Sequence, residues 1–119
     1  MSIQTFTYDD PAKRPLTGTE PGVRMLHGEP YMFDGGAWGD WCARVAVMEA
    51  PADLTRMSDD EVRSLERHAA RAIYDRSRDM ASVSTAAAAV HRRTWAELSA
   101  RGFRSDGTRA EAQTMARAA

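Results

Sequence analysis

Hydrophobic positions fall into two regimes along the chain. Up to residue 36 they alternate or come in short runs between prolines and glycines; beyond it they recur every three or four residues. In Ile3-Gln4-Thr5-Phe6-Thr7-Tyr8 the two rings share one parity, which predicts an extended strand ended by Asp9-Asp10-Pro11. Pro11 to Gly22 is rich in Pro, Gly, Thr and charge and predicts a loop or extended arm. Val23 to His27 and Pro30 to Phe33 flank Gly28-Glu29 as two short apolar runs, a β-hairpin pattern with its turn at Gly28. An isolated hairpin is marginal in water, so these side chains need helices or another molecule to pack on.

Beyond Asp34-Gly35-Gly36, which reads as a chain break, the helical period takes over. Trp38, Trp41, Cys42, Val45 and Met48 share one face of a helix from Trp38 to Ala50, stopped by Pro51. Asp53 to Met57 reads as a connector. Ser58-Asp59-Asp60-Glu61 is a capping box: the Ser58 hydroxyl can accept from the Glu61 amide, and the Glu61 carboxylate from the Ser58 amide. The two aspartates suit the positive end of the helix. Apolar residues then run Val62, Leu65, Ala69, Ala72, Ile73, Met80, Val83, Ala87, Val90, Thr94, Leu98, with a turn skipped between Ile73 and Met80, where Arg76 and Asp79 take the apolar places. One helix from Ser58 to Arg101 would be ~66 Å long. The pattern fits such a helix or, in preference, a helical hairpin broken near Ser82 to Thr85. Gly102 is a C-cap, Asp106-Gly107 a turn, and Thr108 the cap of a final helix over Arg109 to Ala118. The expected fold is mostly α: an extended arm and short β-hairpin over residues 1–36, then a helical domain over 37–119, folding as one unit.

Composition adds limits. At 119 residues the chain has room for one domain with a modest core. A single cysteine excludes a disulfide scaffold and a cysteine-based zinc site. No apolar run approaches the ~18 residues of a membrane span, and no charged-then-apolar leader opens the chain, so the cytoplasm, or a virion, is expected. Basic residues are nearly all Arg, Lys13 being the only lysine; with abundant Ala this fits a GC-rich bacterial or bacteriophage coding sequence. The net charge of −1 hides a mild asymmetry. Residues 58–119 carry 11 Arg against 9 acids, and residues 1–57 carry 5 basic against 8 acidic side chains.

Candidate chemistry is sparse. Cys42 lacks a neighbouring base or electropositive setting, so it reads as a buried structural thiol. His27, His68 and His91 have no metal-ligand spacing; His68 and His91 sit beside Arg67 and Arg92, which suits solvent or an interface. Gly35-Gly36-Ala37-Trp38-Gly39 lacks the lysine of a phosphate loop, and Asp34 and Asp40 oppose an anion there. Arg63, Arg67 and Arg71 form a stripe, a candidate anion or nucleic-acid contact or else a solvated face in which Asp59 pairs with Arg63, and Asp75 with Arg71 and Arg78. The alanine run 86–89 favours close helix packing. Tyr31, Phe33, Trp38 and Trp41 fall within eleven residues, with Met25 and Met32 nearby; these are the side chains that partner surfaces use.

No catalytic, cofactor or metal constellation emerges. The expected function is a non-catalytic protein–protein interaction module: a structural, adaptor or accessory subunit of a larger bacterial or bacteriophage assembly. Its contact would use Tyr31, Phe33, Trp38 and Trp41 with the arm laid along the partner, a protein or another copy. A helical DNA-binding regulator using the Arg stripe is the alternative, and an inhibitor of a host enzyme a second.

Overall fold

The computed structural model describes residues 8–74, 80–104 and 108. The strand expected over Ile3 to Tyr8 (Tyr8 apart), the turn at Asp106-Gly107 and the helix over Arg109 to Ala118 lie outside the described residues. Those described form a mostly helical fold. A 3-10 turn, Pro11–Lys13, is followed by strands β1 (Val23–Leu26) and β2 (Glu29–Met32) and helices α1 (Gly35–Met48), α2 (Asp59–Ile73) and α3 (Met80–Ala100).

The hairpin is antiparallel, pairing Val23 with Met32 and Leu26 with Glu29. Its two-residue loop is His27-Gly28, with φ of 51° and 79°. Positive φ at both positions makes a type I′ turn, whose twist matches that of the strands. The loop is as short as the apolar runs suggest but lies one residue earlier, at His27-Gly28 rather than Gly28-Glu29.

Helix α1 starts earlier than expected, because Asp34 is its N-cap and not part of a chain break. The Asp34 carboxylate accepts from the Gly36 and Ala37 amides, both at 3.1 Å. Its buried face is also different. Cys42, Ala43, Ala46 and Val47 point inward, while Met48 is 80% exposed and Val45 only half-buried. Alanines let α1 approach α2 closely, which the bulky stripe of Trp38, Trp41 and Met48 would prevent. The capping box at Ser58 forms in full, with the Ser58 amide donating to Glu61 at 2.7 Å and the Glu61 amide to Ser58 at 3.1 Å.

The long apolar run is a helical hairpin. α2 ends at Ile73 and α3 is under way by Met80, so the break falls at the skipped turn and Ser82 to Thr85 lie inside α3. The two helices run antiparallel: Asp59 meets Arg101, Glu66 meets His91, and the Ile73 carbonyl meets Ser84. Gly102, at φ 94°, ends α3 in a Schellman motif. There the Phe103 amide donates to the Leu98 carbonyl and that of Gly102 to the Ser99 carbonyl, both at 3.0 Å.

The core lies between the three helices and is built of Ala43, Ala46, Val47, Val62, Leu65, Ala69, Ala72, Ala87, Val90 and Leu98. Leu54 and Met57, in the connector before α2, are also buried in it. Arg93 of α3 and Arg101 just beyond its end tie that connector down. Arg93 donates to the Pro51 and Ala52 carbonyls. Arg101 donates to the Leu54 carbonyl, Glu97 and Asp59.

Candidate functional site

The hairpin stands beside the bundle, and its alternation separates two faces. Val23, Met25, Pro30 and Met32 share one face by register. That face touches the chain itself in part: Val23 is buried, Met25 lies against Gly18 and the Met32 sulfur is near Gly35, while Met25 and Met32 stay about half exposed. Gly22, at φ 78°, seats the hairpin on α1, because a Cβ there would collide with the Asp34 carbonyl oxygen. The opposite face carries Arg24, Leu26, Glu29 and Tyr31, with Phe33 following in the same parity. Leu26, Tyr31 and Phe33 are 52%, 46% and 55% exposed. The Arg24 guanidinium lies over the Phe33 ring, 3.9 Å from its centroid, and the Tyr31 hydroxyl donates to Glu29 at 3.2 Å. These contacts orient both rings on the surface without covering them.

Both strand edges are blunted. In a hairpin with a two-residue loop the pair flanking the loop bonds inward, so Met25 and Pro30, Val23 and Met32, present their backbone groups outward. Donation from the Phe33 amide to the Gly22 carbonyl at 2.9 Å follows the same parity. Pro30 therefore has no N–H to offer at the β2 edge, and the Val23 amide already donates to the Glu20 carbonyl at 3.1 Å. The hairpin edges are thereby poor templates for strand addition.

Trp38 and Trp41, in the first half of α1, are half-buried and pack outside the main core. The four aromatics singled out from the sequence thus lie on the hairpin and the adjoining half of one helix. Trp95 behaves differently: it packs against the core and meets the His91 ring edge-on.

The three arginines of the α2 stripe have separate surroundings. Arg63 lies over the Phe103 ring at 5.6 Å. Arg71 crosses to α1, donating to Asp40 at 2.8 Å and to the Gly36 carbonyl at 3.0 Å, with its guanidinium in the space left by the missing Cβ of Gly39. Arg67 is exposed. Across elements, Asp59 pairs with Arg101 and Arg71 with Asp40. Asp75 and Arg78 lie outside the described residues.

One polar cluster has no counterpart in the sequence reading. Asp10, only 8% exposed, accepts from Ser64 at 2.6 Å and pairs with His68 Nε2 at 2.8 Å. It also caps the 3-10 turn by accepting from the Ala12 amide at 2.9 Å. Burial alone would raise the Asp10 carboxyl, but the hydrogen bonds from Ser64, His68 and Ala12 outweigh it and hold it below the usual value. Ser, His and Asp meet here, yet the order is wrong for nucleophilic catalysis: Ser64 bonds Asp10 and has no base. His68 therefore faces a buried carboxylate, not the solvent or interface its Arg67 neighbour suggests. The local signal was Ser64 and His68 one helical turn apart, flanking the apolar stripe of α2.

Beside this cluster is a cleft of about 400 Å³ lined by Tyr8, Asp9, Lys13, Asp60, Glu61 and Ser64, among others. Cys42 is buried, and burial, then the charge of Asp10, pushes its thiol up to about 11. Among the described residues no group of three His, Cys, Asp or Glu side chains is placed to hold a metal ion. No helix among them is long and apolar enough to cross a membrane.

Comparison with known proteins finds no matching family model, no similar curated protein and no similar solved structure.

Proposed function

We propose that this chain is a non-catalytic protein–protein interaction module: a small structural, adaptor or accessory subunit of a bacterial or bacteriophage assembly, working in the cytoplasm or the virion. The contact is the outer face of the hairpin, Tyr31 and Phe33, continued by Trp38 and Trp41 on α1. The observation that carries this reading is the position of these aromatics. All four lie outside the main core, and the two hairpin rings are about half exposed. Aromatic side chains that are pre-oriented on a surface are what binding hot spots are made of. The described part of the arm is used differently from what the sequence suggests, since residues 8–14 are bonded to the chain's own helices.

The DNA-binding alternative draws less support, because Arg63 and Arg71 are engaged within the chain and only Arg67 stands clear. An inhibitor of a host enzyme would use the same aromatic face as an adaptor. Photo-crosslinking in the source cell decides between a protein partner and DNA. A photoreactive side chain at position 33 should capture one protein, and the same group at Arg92 should not. Tyr31→Ala with Phe33→Ala should weaken that complex about thirtyfold or more. Absence of any crosslink at position 33, together with binding of duplex DNA that is lost on changing Arg63, Arg67 and Arg71, would assign the function to the stripe.

A further inference from the structure

The segment from Tyr8 to Arg14 crosses the groove between α1 and α2 and is fastened at three points. At one end the Tyr8 amide donates to the Glu61 carboxylate at 3.2 Å, in the first turn of α2. In the middle Asp10 engages Ser64 and His68. At the other end Arg14 donates to Glu49 at 2.8 Å, at the C-cap of α1. All three fasteners are polar and join residues far apart in sequence. Two apolar side chains of the segment are seated beside these fasteners: Tyr8 packs against the margin of the helical core, and Pro11 is fully buried. Attachment of a short segment chiefly by polar contacts, to helices that pack on one another without it, is the pattern of a unit that opens locally.

Cys42 stands two helical turns before Glu49, the residue Arg14 bonds, on the helix against which the 3-10 turn packs. It is 1% exposed yet outside the main core, and after burial itself the charges of Asp10 and Arg14 act most strongly on its thiol. We propose that residues 8–14 form a strap that opens as a unit while the three-helix core stays folded, and that its opening uncovers the α1–α2 groove at Cys42. Asp10 is the latch, since it alone reaches two side chains of α2. Arg14 is a second, weaker fastener on α1, more accessible to solvent than Asp10.

Cys42 is the only cysteine, so thiol labelling of the full chain reads the opening directly. The labelling rate with a small aromatic disulfide is measured from zero to sub-denaturing urea, beside the far-UV circular dichroism of the same samples. In the wild type the rate should rise with urea far more shallowly than global unfolding does. Asp10→Ala should label at least tenfold faster without denaturant while keeping its helical signal, and Arg14→Gln several-fold faster. Labelling that follows the global unfolding line in the wild type would overturn the strap. So would an Asp10→Ala protein that labels at the wild-type rate, or one that loses its helices, because the segment would then belong to the cooperative core.

Discussion

Asp10 shows how one side chain can hold two elements. Its Oδ1 serves the Ala12 amide and His68, and its Oδ2 serves Ser64, so both oxygens of a buried carboxylate are used. Its depressed pKa links this bonding to pH. A group held below its unfolded value stabilises fully above that value, about pH 4 for an aspartate, and loses the contribution as pH falls through the folded value. The difference in urea midpoint between the wild type and Asp10→Asn should therefore narrow on acidification below about pH 4. A gap unchanged by acid would mean that Asp10 is not ionised in the fold. Tyr8 supplies a contrast beside it. Its hydroxyl is buried without a well-formed hydrogen bond, since the neighbouring Ser64 hydroxyl donates to Asp10, and burial, then the charge of Asp10, raises its pKa. An unsatisfied buried group costs about 1–3 kcal/mol, so Tyr8→Phe should leave thermal stability unchanged or raise it. A drop in melting temperature would show that the hydroxyl is bonded in solution.

Among the elements, arginine does more than the composition suggests. An Arg-rich sequence reads as a coding habit or a charged face, yet Arg93 and Arg101 hold the connector before α2 through backbone carbonyls, and Arg71 clamps α2 to α1. The Arg101 guanidinium spans Glu97, Asp59 and the Leu54 carbonyl with its side chain only 14% exposed. Charge-assisted hydrogen bonds of this kind contribute about 1.5–3 kcal/mol, so Arg101→Ala should lower unfolding free energy by about 2 kcal/mol in urea titration. Arg101→Lys should recover only part, because an ammonium cannot reach three acceptors with one planar fork. Gly39 is a case where magnitudes oppose. Alanine there gains about 0.8–1 kcal/mol of helix propensity but displaces the Arg71 guanidinium from a half-exposed ion pair contributing about 0–1 kcal/mol. Gly39→Ala should therefore be neutral or mildly stabilising, and a loss beyond about 1 kcal/mol would mark the Arg71 clamp as stronger than a surface pair.

At the scale of the whole molecule, local signals were readable and long-range ones were not. The capping box at Ser58, the Gly102 terminus and the turn at Gly28 are written within a few residues, and each formed. The skipped turn after Ile73 also marked the break between α2 and α3, although the serines and threonine farther on drew attention away from it. Hydropathy misjudged α1, because it weighs Trp38 and Met48 above Ala43 and Ala46, whereas close helix approach needs the small residues inside. The Asp10 cluster joins positions 54 and 58 residues apart, and no local pattern could announce it. The same limit applies to the connector, where Leu54 and Met57 looked like loop residues and are core.

Under the proposed function, stability and interaction are housed in different parts of this chain, and that separation can be measured. Leu65 is fully buried between the helices, so Leu65→Ala removes packing that the bundle cannot replace and should cost about 2–5 kcal/mol. Tyr31 and Phe33 are about half exposed on a hairpin face that covers nothing. Surface substitutions away from packed features usually change stability by no more than about 0.5 kcal/mol each. The pair Tyr31→Ser and Phe33→Ser should thus leave the urea midpoint near the wild-type value while abolishing partner capture. If these two substitutions instead unfolded the protein as Leu65→Ala does, the rings would be part of the fold's own support, and the proposed docking face would lose its basis.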